Sequence, residues 1–303
     1  MNIDFIGVGA ARCSTTWLYE CLREHPEICM SKKKELHFFD NDNNFHKGIN
    51  YYRNFFSPCL GERKLGEITP RYMLYAEAMK RIKKEFPKLK LIISLRDPVD
   101  RALSQYKYFR FNKKKEPISD IEYAFDGDYK EDYVTKSLYY SQVKKTIELF
   151  GADQVLIIFD FEIQRCPELI IKKIFKFLDV DTSYVPKNIK ERVNYSQVGF
   201  YEPAYIWAKL NQFQKQSTRQ VCGKNYGVDR CPSFLKPLLR NIVSYKIVNK
   251  INVVLDENVP KKTGAVFDKE LKKKLHDKYF KNDICDLEHL IHTSLDEWKE
   301  KYE

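Results

Sequence analysis

The chain has 303 residues, 43% hydrophobic and 14% aromatic, enough to bury the core of one large domain or two small ones. Lys and Arg outnumber Asp and Glu by 53 to 42, a net charge of +11, which favours anionic partners such as nucleotides, sulfated or phosphorylated substrates, nucleic acid or a membrane surface. No apolar stretch reaches the roughly eighteen residues of a membrane span and no basic-then-apolar leader opens the chain, so the expected location is the cytoplasm; without a Cys-x-x-Cys pair among eight cysteines, no zinc site is expected and most thiols are expected to be free.

Phe5 to Gly9 is a short apolar run bounded by small residues and reads as a buried strand. Gly7, Gly9, Ala10 and Ala11 are small enough to let backbone approach a ligand. Arg12, Cys13, Ser14, Thr15 and Thr16 follow, with Trp17 and Leu18 inside a helix that Pro26 stops. A strand, a tight turn and a helix N-terminus aim free backbone N–H groups and the positive end of the helix dipole at one spot, which suits a phosphate or sulfate. Arg12 adds a fixed charge. The alternative is an ordinary strand–helix connection. The stretch departs from the P-loop, with Arg12-Cys13-Ser14 where Gly-Lys-Ser/Thr would stand.

Ser31 to Asp40 holds Glu35 and His37, which share a side if the piece is extended, with Phe38 and Phe39 nearby to exclude water. That suits a general base. The alternative is a loop anchored by two phenylalanines, with Glu35 paired to a neighbouring lysine. Residues 41–63 read as a loop with a short helix, and Gly66 to Tyr72 as a turn set by Pro70. Ala76 to Phe86 is an amphipathic helix with Met79, Ile82 and Phe86 as its stripe, and Leu89 to Leu95 is a strand.

Arg96-Asp97-Pro98 stands at the carboxyl end of that strand, and a helix runs from Asp100 to Tyr108. Ligands of open parallel sheets bind beyond the carboxyl ends of strands, so Arg96 is placed to meet the ligand of Arg12. Ser104 lies two helical turns on, and an arginine with a hydroxyl fits a phosphate monoester. Alternatively, Arg96 pairs with Asp97 or Asp100. A helix from about Ser137 to Gly151, a strand over Val155–Phe159 and a helix from Pro167 follow, the last with Leu169, Ile170, Ile174, Phe177 and Leu178 inward.

Residues 184–265 read as short helices and loops, with Tyr201, Tyr205 and Trp207 packing. Cys222 and Cys231 are close enough to staple a loop but are not expected to. Lys261 and Lys262 precede a last helix, Asp268 to Tyr279. The runs Lys32–Lys34, Lys113–Lys115 and Lys272–Lys274 read as solvated faces.

The stretches GVGAARCSTTWL (7–18) and LIISLRDPVDRALSQY (91–106) resemble the sulfotransferases that use 3′-phosphoadenosine 5′-phosphosulfate (PAPS). KKKELHFFD (32–40) and GEITPRY (66–72) resemble the glycan O- and N-sulfotransferase branch and its bacterial relatives; SLYYSQVKKTIELFG (137–151) and QVLIIF (154–159) keep the family's order. The resemblance implies a single α/β domain, a central parallel sheet with helices on both faces and a P-loop-like phosphosulfate-binding strand–loop–helix. It implies that Arg12, Cys13, Ser14, Thr15 and Thr16 hold the 5′-phosphosulfate with Trp17 lining the pocket, that Arg96 and Ser104 bind the 3′-phosphate, and that Glu35 is the catalytic base with His37 beside it. It also implies a basic loop closing over the nucleotide, here Lys261 and Lys262.

Two departures matter. Most relatives have lysine in place of Arg12, and the glycan branch has lysine in place of Ile68, for which Arg71 is the candidate substitute. PAPS is the expected donor without a metal, and a saccharide or small molecule the expected acceptor. The rival readings are a P-loop nucleotide kinase, which needs ATP with Mg²⁺, and a nucleic-acid binder, which needs a continuous basic face that these dispersed charges do not make.

Overall fold

A computed structural model describes residues 2–57, 59, 61, 63–112, 121–190 and 267–303, and all of these belong to one compact unit. Five strands form one parallel sheet: β1 (Phe5–Gly9), β2 (Ile28–Met30), β3 (Lys64–Ile68), β4 (Lys90–Leu95) and β5 (Val155–Phe159). The strand order is β2-β3-β1-β4-β5. From β1 the chain goes out to the edge strand β2, returns to β3 beside β1 and then crosses to β4 on the other side, so the direction reverses between β1 and β4, the place where open α/β sheets leave a crevice.

Among the described residues the α-helices longer than five residues are α1 (Thr15–Glu24), α2 (Ala76–Glu85), α3 (Pro98–Lys107), α4 (Tyr140–Phe150), α5 (Asp160–Arg165), α6 (Pro167–Leu178), α7 (Lys269–Leu275) and α8 (Lys281–Ile291). Alternation along the strands divides the apolar side chains between two faces. Ile6, Val8, Leu91, Ile93, Leu95 and Phe159 pack with residues of α2, α3, α4 and α8. Phe5, Ile92 and Ile158 pack with Trp17, Leu18 and Leu22 of α1 and Ile170, Ile171, Ile174 and Phe175 of α6. The result is a helix–sheet–helix sandwich, the expected α/β architecture.

Two strands depart from the sequence-based expectation. β2 is only three residues long, and β3 occupies Lys64–Ile68, just before and within the segment read as a turn. Gly66 of β3 is required by packing, because a Cβ there would collide with the Phe5 ring. Gly7 has the same role: its Cβ would stand 2.8 Å from Ile68 Cγ1, and one on Gly9 would run into Met73. These β1 glycines therefore make room for neighbouring side chains. Helix α3 starts at Pro98, two residues earlier than expected, because Asp97 caps it by accepting from the Asp100 N–H at 2.9 Å.

On α6 Leu169 is 65% exposed, and Ile171 and Phe175 take the inward places. The last expected helix is α7, capped by Asp268, which passes through a wider turn at His276–Phe280 into α8. Cys29 and Cys59 form a disulfide with Cα atoms 5.8 Å apart, a pairing that the sequence does not announce; Cys13, Cys21, Cys166 and Cys285 are free. Residues far apart in sequence meet where edge strand β2 runs beside the turn after Asn54–Phe56. Cys222, Cys231, Tyr201, Tyr205, Trp207, Lys113–Lys115, Lys261 and Lys262 lie outside the described residues.

Candidate active site

The loop from Ala10 to Ser14 is fastened to the sheet before it reaches α1. Ala10 N–H donates to the Ser94 carbonyl at 2.8 Å, and the Ser94 hydroxyl donates to the Cys13 carbonyl at 2.6 Å. Arg101, buried in α3, donates from Nε to the Ala11 carbonyl at 3.3 Å and from Nη1 to the Asp132 carbonyl and the Ser137 hydroxyl. Arg12 and Ser14 adopt left-handed backbone conformations, with φ of 73° and 55°. These strained angles turn the chain sharply into α1.

The Ser14 hydroxyl does not cap α1; it donates to the Asp160 carboxylate. The Cys13 thiol is buried 3.6 Å from the Tyr139 hydroxyl, and burial pushes its pKa up to about 11, so it is not a nucleophile at neutral pH. Trp17 is packed in the second apolar layer with its indole N–H on the Ile189 carbonyl at 3.0 Å.

Arg12 projects from this loop to Ser104 on α3, donating from Nε to the hydroxyl at 3.1 Å, with its guanidinium over the Tyr108 ring at 4.9 Å. Burial lowers the Arg12 pKa, and the nearby Arg101 and Arg96 lower it further. Three guanidinium groups crowded at the helix entry favour an anion. Arg96, at the end of β4, has its Nε 3.8 Å from Asp160 on β5's extension. Its neighbour Asp97 is committed elsewhere, accepting from the Tyr302 hydroxyl at 2.8 Å through both oxygens. Asp100 is held by Lys272 at 2.8 Å.

The second cluster stands beside β3. Glu35 N–H donates to the Ile68 carbonyl at 3.0 Å, and Ile68 pairs with Gly7 of β1, so the segment lies at the neighbouring strand end. It is not extended: Glu35 and His37 have φ of 61° and 49°. Even so they meet, with His37 Nε2 3.8 Å from Glu35 Oε2. Lys34 Nζ donates to Glu35 Oε1 at 2.7 Å, and His37 Nδ1 lies 3.0 Å from Asp40, which has Arg71 Nε at 3.7 Å. His37, with Lys34 assisting, holds the Glu35 pKa down to about 2. Asp40 and Glu35 push His37 up to about 9. Lys34, Glu35, His37, Asp40 and Arg71 thus form a relay in which Glu35 and His37 are both charged at neutral pH.

A buried acid supports this relay. Glu67 of β3 accepts from the Thr69 hydroxyl at 2.7 Å and from the Tyr52 and Tyr72 hydroxyls at 3.0 Å each. Tyr72 in turn accepts from the Phe38 N–H at 3.0 Å, which links the hub to the Glu35–His37 segment. Burial pushes the Glu67 pKa up to about 7 despite these donors.

Of the residues singled out in the sequence, Arg12 and Ser104 are in direct contact, Glu35 and His37 adjoin, and Ser14 and Arg96 share the partner Asp160. Sequence reasoning missed Asp40, Arg101, Asp160 and Glu67. Asp160 was within reach of it, since it ends the third recognised strand, where the carboxyl-end rule applies. Asp40 stands three residues after His37. Arg101 and Glu67 gave no signal, because a charge in a helix or strand pattern reads as solvated.

A parallel sheet with arginine and hydroxyl side chains gathered at its reversal point, and a carboxylate–imidazole pair at the next strand end, defines an open-sheet α/β protein. The chain belongs to the sulfotransferase domain family, whose pattern matches residues 2–216. It is 29% identical over 224 residues to the bifunctional heparan sulfate N-deacetylase/N-sulfotransferase 4 of Mus musculus, covering 68% of this chain and 24% of that protein. It is 29% identical over 181 residues to the heparan sulfate glucosamine 3-O-sulfotransferase 5 of Mus musculus, covering 57% of this chain and 52% of that one.

The chain therefore spans about a quarter to a half of the length of these relatives. A sulfotransferase structure from Alicyclobacillus acidocaldarius superposes with a TM-score of 0.62 at 24% identity, covering 99% of both chains, and shares the fold. Among the described residues no helix is long and apolar enough to cross a membrane.

Proposed function

We propose that this chain transfers a sulfuryl group from PAPS to a hydroxyl or amine of a saccharide or small-molecule acceptor. The observation that carries this reading is the row of groups along adjacent strand ends. Glu35 with His37 stands beside β3, Arg12 and Ser14 follow β1, Arg96 follows β4, and Asp160 follows β5. Neighbouring strands are about 4.8 Å apart, so the row spans roughly 14 Å. That is room for a nucleotide at one end and an acceptor at the other.

In this reading Arg12 and the first-turn N–H groups of α1 hold the phosphosulfate end, and Arg96 and Ser104 hold the 3′-phosphate. As the acceptor–sulfur bond forms and the sulfur–oxygen bond to the 5′-phosphate breaks, negative charge grows on the phosphate oxygen. Arg12 stabilises that charge electrostatically, since a guanidinium is a poor proton donor. Glu35 takes the acceptor proton. Its low pKa makes it a weak base while Lys34 and His37 hold it; an acceptor hydroxyl that displaces one of them restores basicity where the proton is released. Arg71, near Asp40, supplies a cation in the neighbourhood where the glycan branch carries lysine at the position of Ile68.

The test is thermal shift with adenosine 3′,5′-bisphosphate, ATP–Mg²⁺ and an oligonucleotide side by side, followed by transfer of labelled sulfate from PAPS to a panel of acceptors. Stabilisation by the bisphosphate alone and label in an acceptor are the expected results. Stabilisation by ATP–Mg²⁺ alone would point to a kinase instead.

A further inference from the structure

Asp160 follows β5 directly and is 6% exposed. One carboxylate oxygen accepts from the Ser14 hydroxyl. The other accepts from Gln164 Nε2 at 2.6 Å and lies 3.8 Å from Arg96 Nε. The group therefore engages the hydroxyl at the entry of α1 and the arginine at the end of β4, which belong to opposite ends of the proposed nucleotide site. A carboxylate cannot help to bind phosphate directly, because both are anionic acceptors and their repulsion grows in a partly buried crevice. Toward Ser14 and Arg96, however, it offers what a phosphate oxygen offers: negative charge and lone pairs at hydrogen-bonding height.

We propose that Asp160 is a positioning residue that stands in for the nucleotide's phosphates. It holds Ser14 and Arg96 in their binding geometry, yields them when the nucleotide enters, and reclaims them as the bisphosphate product leaves. Gln164 makes the exchange feasible, because it remains a donor to the buried carboxylate after the other two have turned to phosphate. The consequence is a site that is preorganised yet binds its nucleotide less tightly than its cations alone would allow. This inference rests on the PAPS reading given above.

Calorimetric titration of adenosine 3′,5′-bisphosphate into the wild type, Asp160→Asn and Asp160→Ser, with steady-state kinetics on each, tests it. Asparagine keeps the shape and one acceptor oxygen and removes the charge; serine removes the charge by a different route should the first variant not fold. The expected result is bisphosphate binding about tenfold tighter in the variants, equivalent to about 1.4 kcal/mol. The gain should lie in slower dissociation, with a lower KM for the donor and an unchanged KM for the acceptor. A carboxylate that merely braced the fold would give the opposite sign, because loosened Ser14 and Arg96 would bind phosphate less well. Unchanged or weaker binding in a folded variant overturns the proposal while leaving the PAPS reading intact. A wild type that binds no bisphosphate removes that reading, and this inference with it.

Discussion

Glu35 stays ionised far below neutral pH because His37 and Lys34 neutralise it, and His37 stays protonated well above it because Asp40 and Glu35 do the same in return. Replacing Glu35 by Gln removes the proton acceptor and leaves the arginines alone. We expect kcat to fall by roughly 10²–10⁴-fold, with bisphosphate affinity unchanged by calorimetry. An unaltered kcat would move the base role to another group, His37 first. The depressed Glu35 pKa contributes stability that is present above its ordinary value of 4.5 and lost as pH falls toward about 2. The raised His37 pKa contributes stability that is present below 6.5 and lost as pH rises through about 9.

Glu67 runs opposite to Glu35, because burial outweighs its three hydroxyl donors. Its raised pKa contributes stability that is present below 4.5 and lost as pH rises through about 7. Glu67→Gln keeps the shape, and Thr69 can rotate to accept from the new amide. Thermal melts between pH 5 and 8 should therefore show the wild type losing about 2–3 kcal/mol that the variant keeps. Parallel pH dependence in both proteins would mean that the ionised form of Glu67 is well solvated by its hydroxyls.

At the scale of elements, the cradle is a joint between the loop before α1 and the second turn of α3, closed by Arg12 on Ser104. Because Arg12 donates to the Ser104 hydroxyl, their effects on binding are not independent, although the two are assigned to different phosphates. A double-mutant cycle with Arg12→Lys and Ser104→Ala, read by bisphosphate affinity, should give a coupling of about 0.5–3 kcal/mol; additive losses would show that the two part when the nucleotide binds. The same elements set what the sequence could reveal. Strands β1, β4 and β5 are continuous apolar runs, and the carboxyl ends of β1 and β4 point to Arg12 and Arg96. β3 is hidden in the sequence because Gly66 and Glu67 interrupt its apolar run and Pro70 follows closely, so the segment reads as a turn. The contact of Glu35 with His37 was foreseen for a different reason than the one the structure gives. Two left-handed residues, and not an extended strand, bring them together.

The whole molecule divides its chemistry by chain segment. The groups proposed to bind phosphate follow β1 and β4 and stand on α3, in the middle of the sheet, whereas the Glu35–His37–Asp40 relay stands on a long excursion between β2 and β3. That excursion begins at the edge strand, where least backbone pairing restrains it. The disulfide between Cys29 and Cys59, 30 residues apart, closes it into a ring that contains Lys34, Glu35, His37 and Asp40. The Lys32 N–H on the Phe55 carbonyl at 2.9 Å and Lys32 Nζ on the Ser57 hydroxyl at 2.8 Å bind the ring inside the bridge. A ring of this size is stabilised by roughly 2–4 kcal/mol through lost unfolded-state entropy. Cys59→Ser should therefore lower the unfolding free energy by that amount in urea titrations. Because the opened segment carries Glu35 and not the cradle, kcat should fall several-fold while bisphosphate affinity holds. Equal losses in both would mean that the bridge braces the whole sheet. A loss of stability with kcat unchanged would mean that Glu67, through Tyr72 and the Phe38 N–H, positions the relay without help from the bridge.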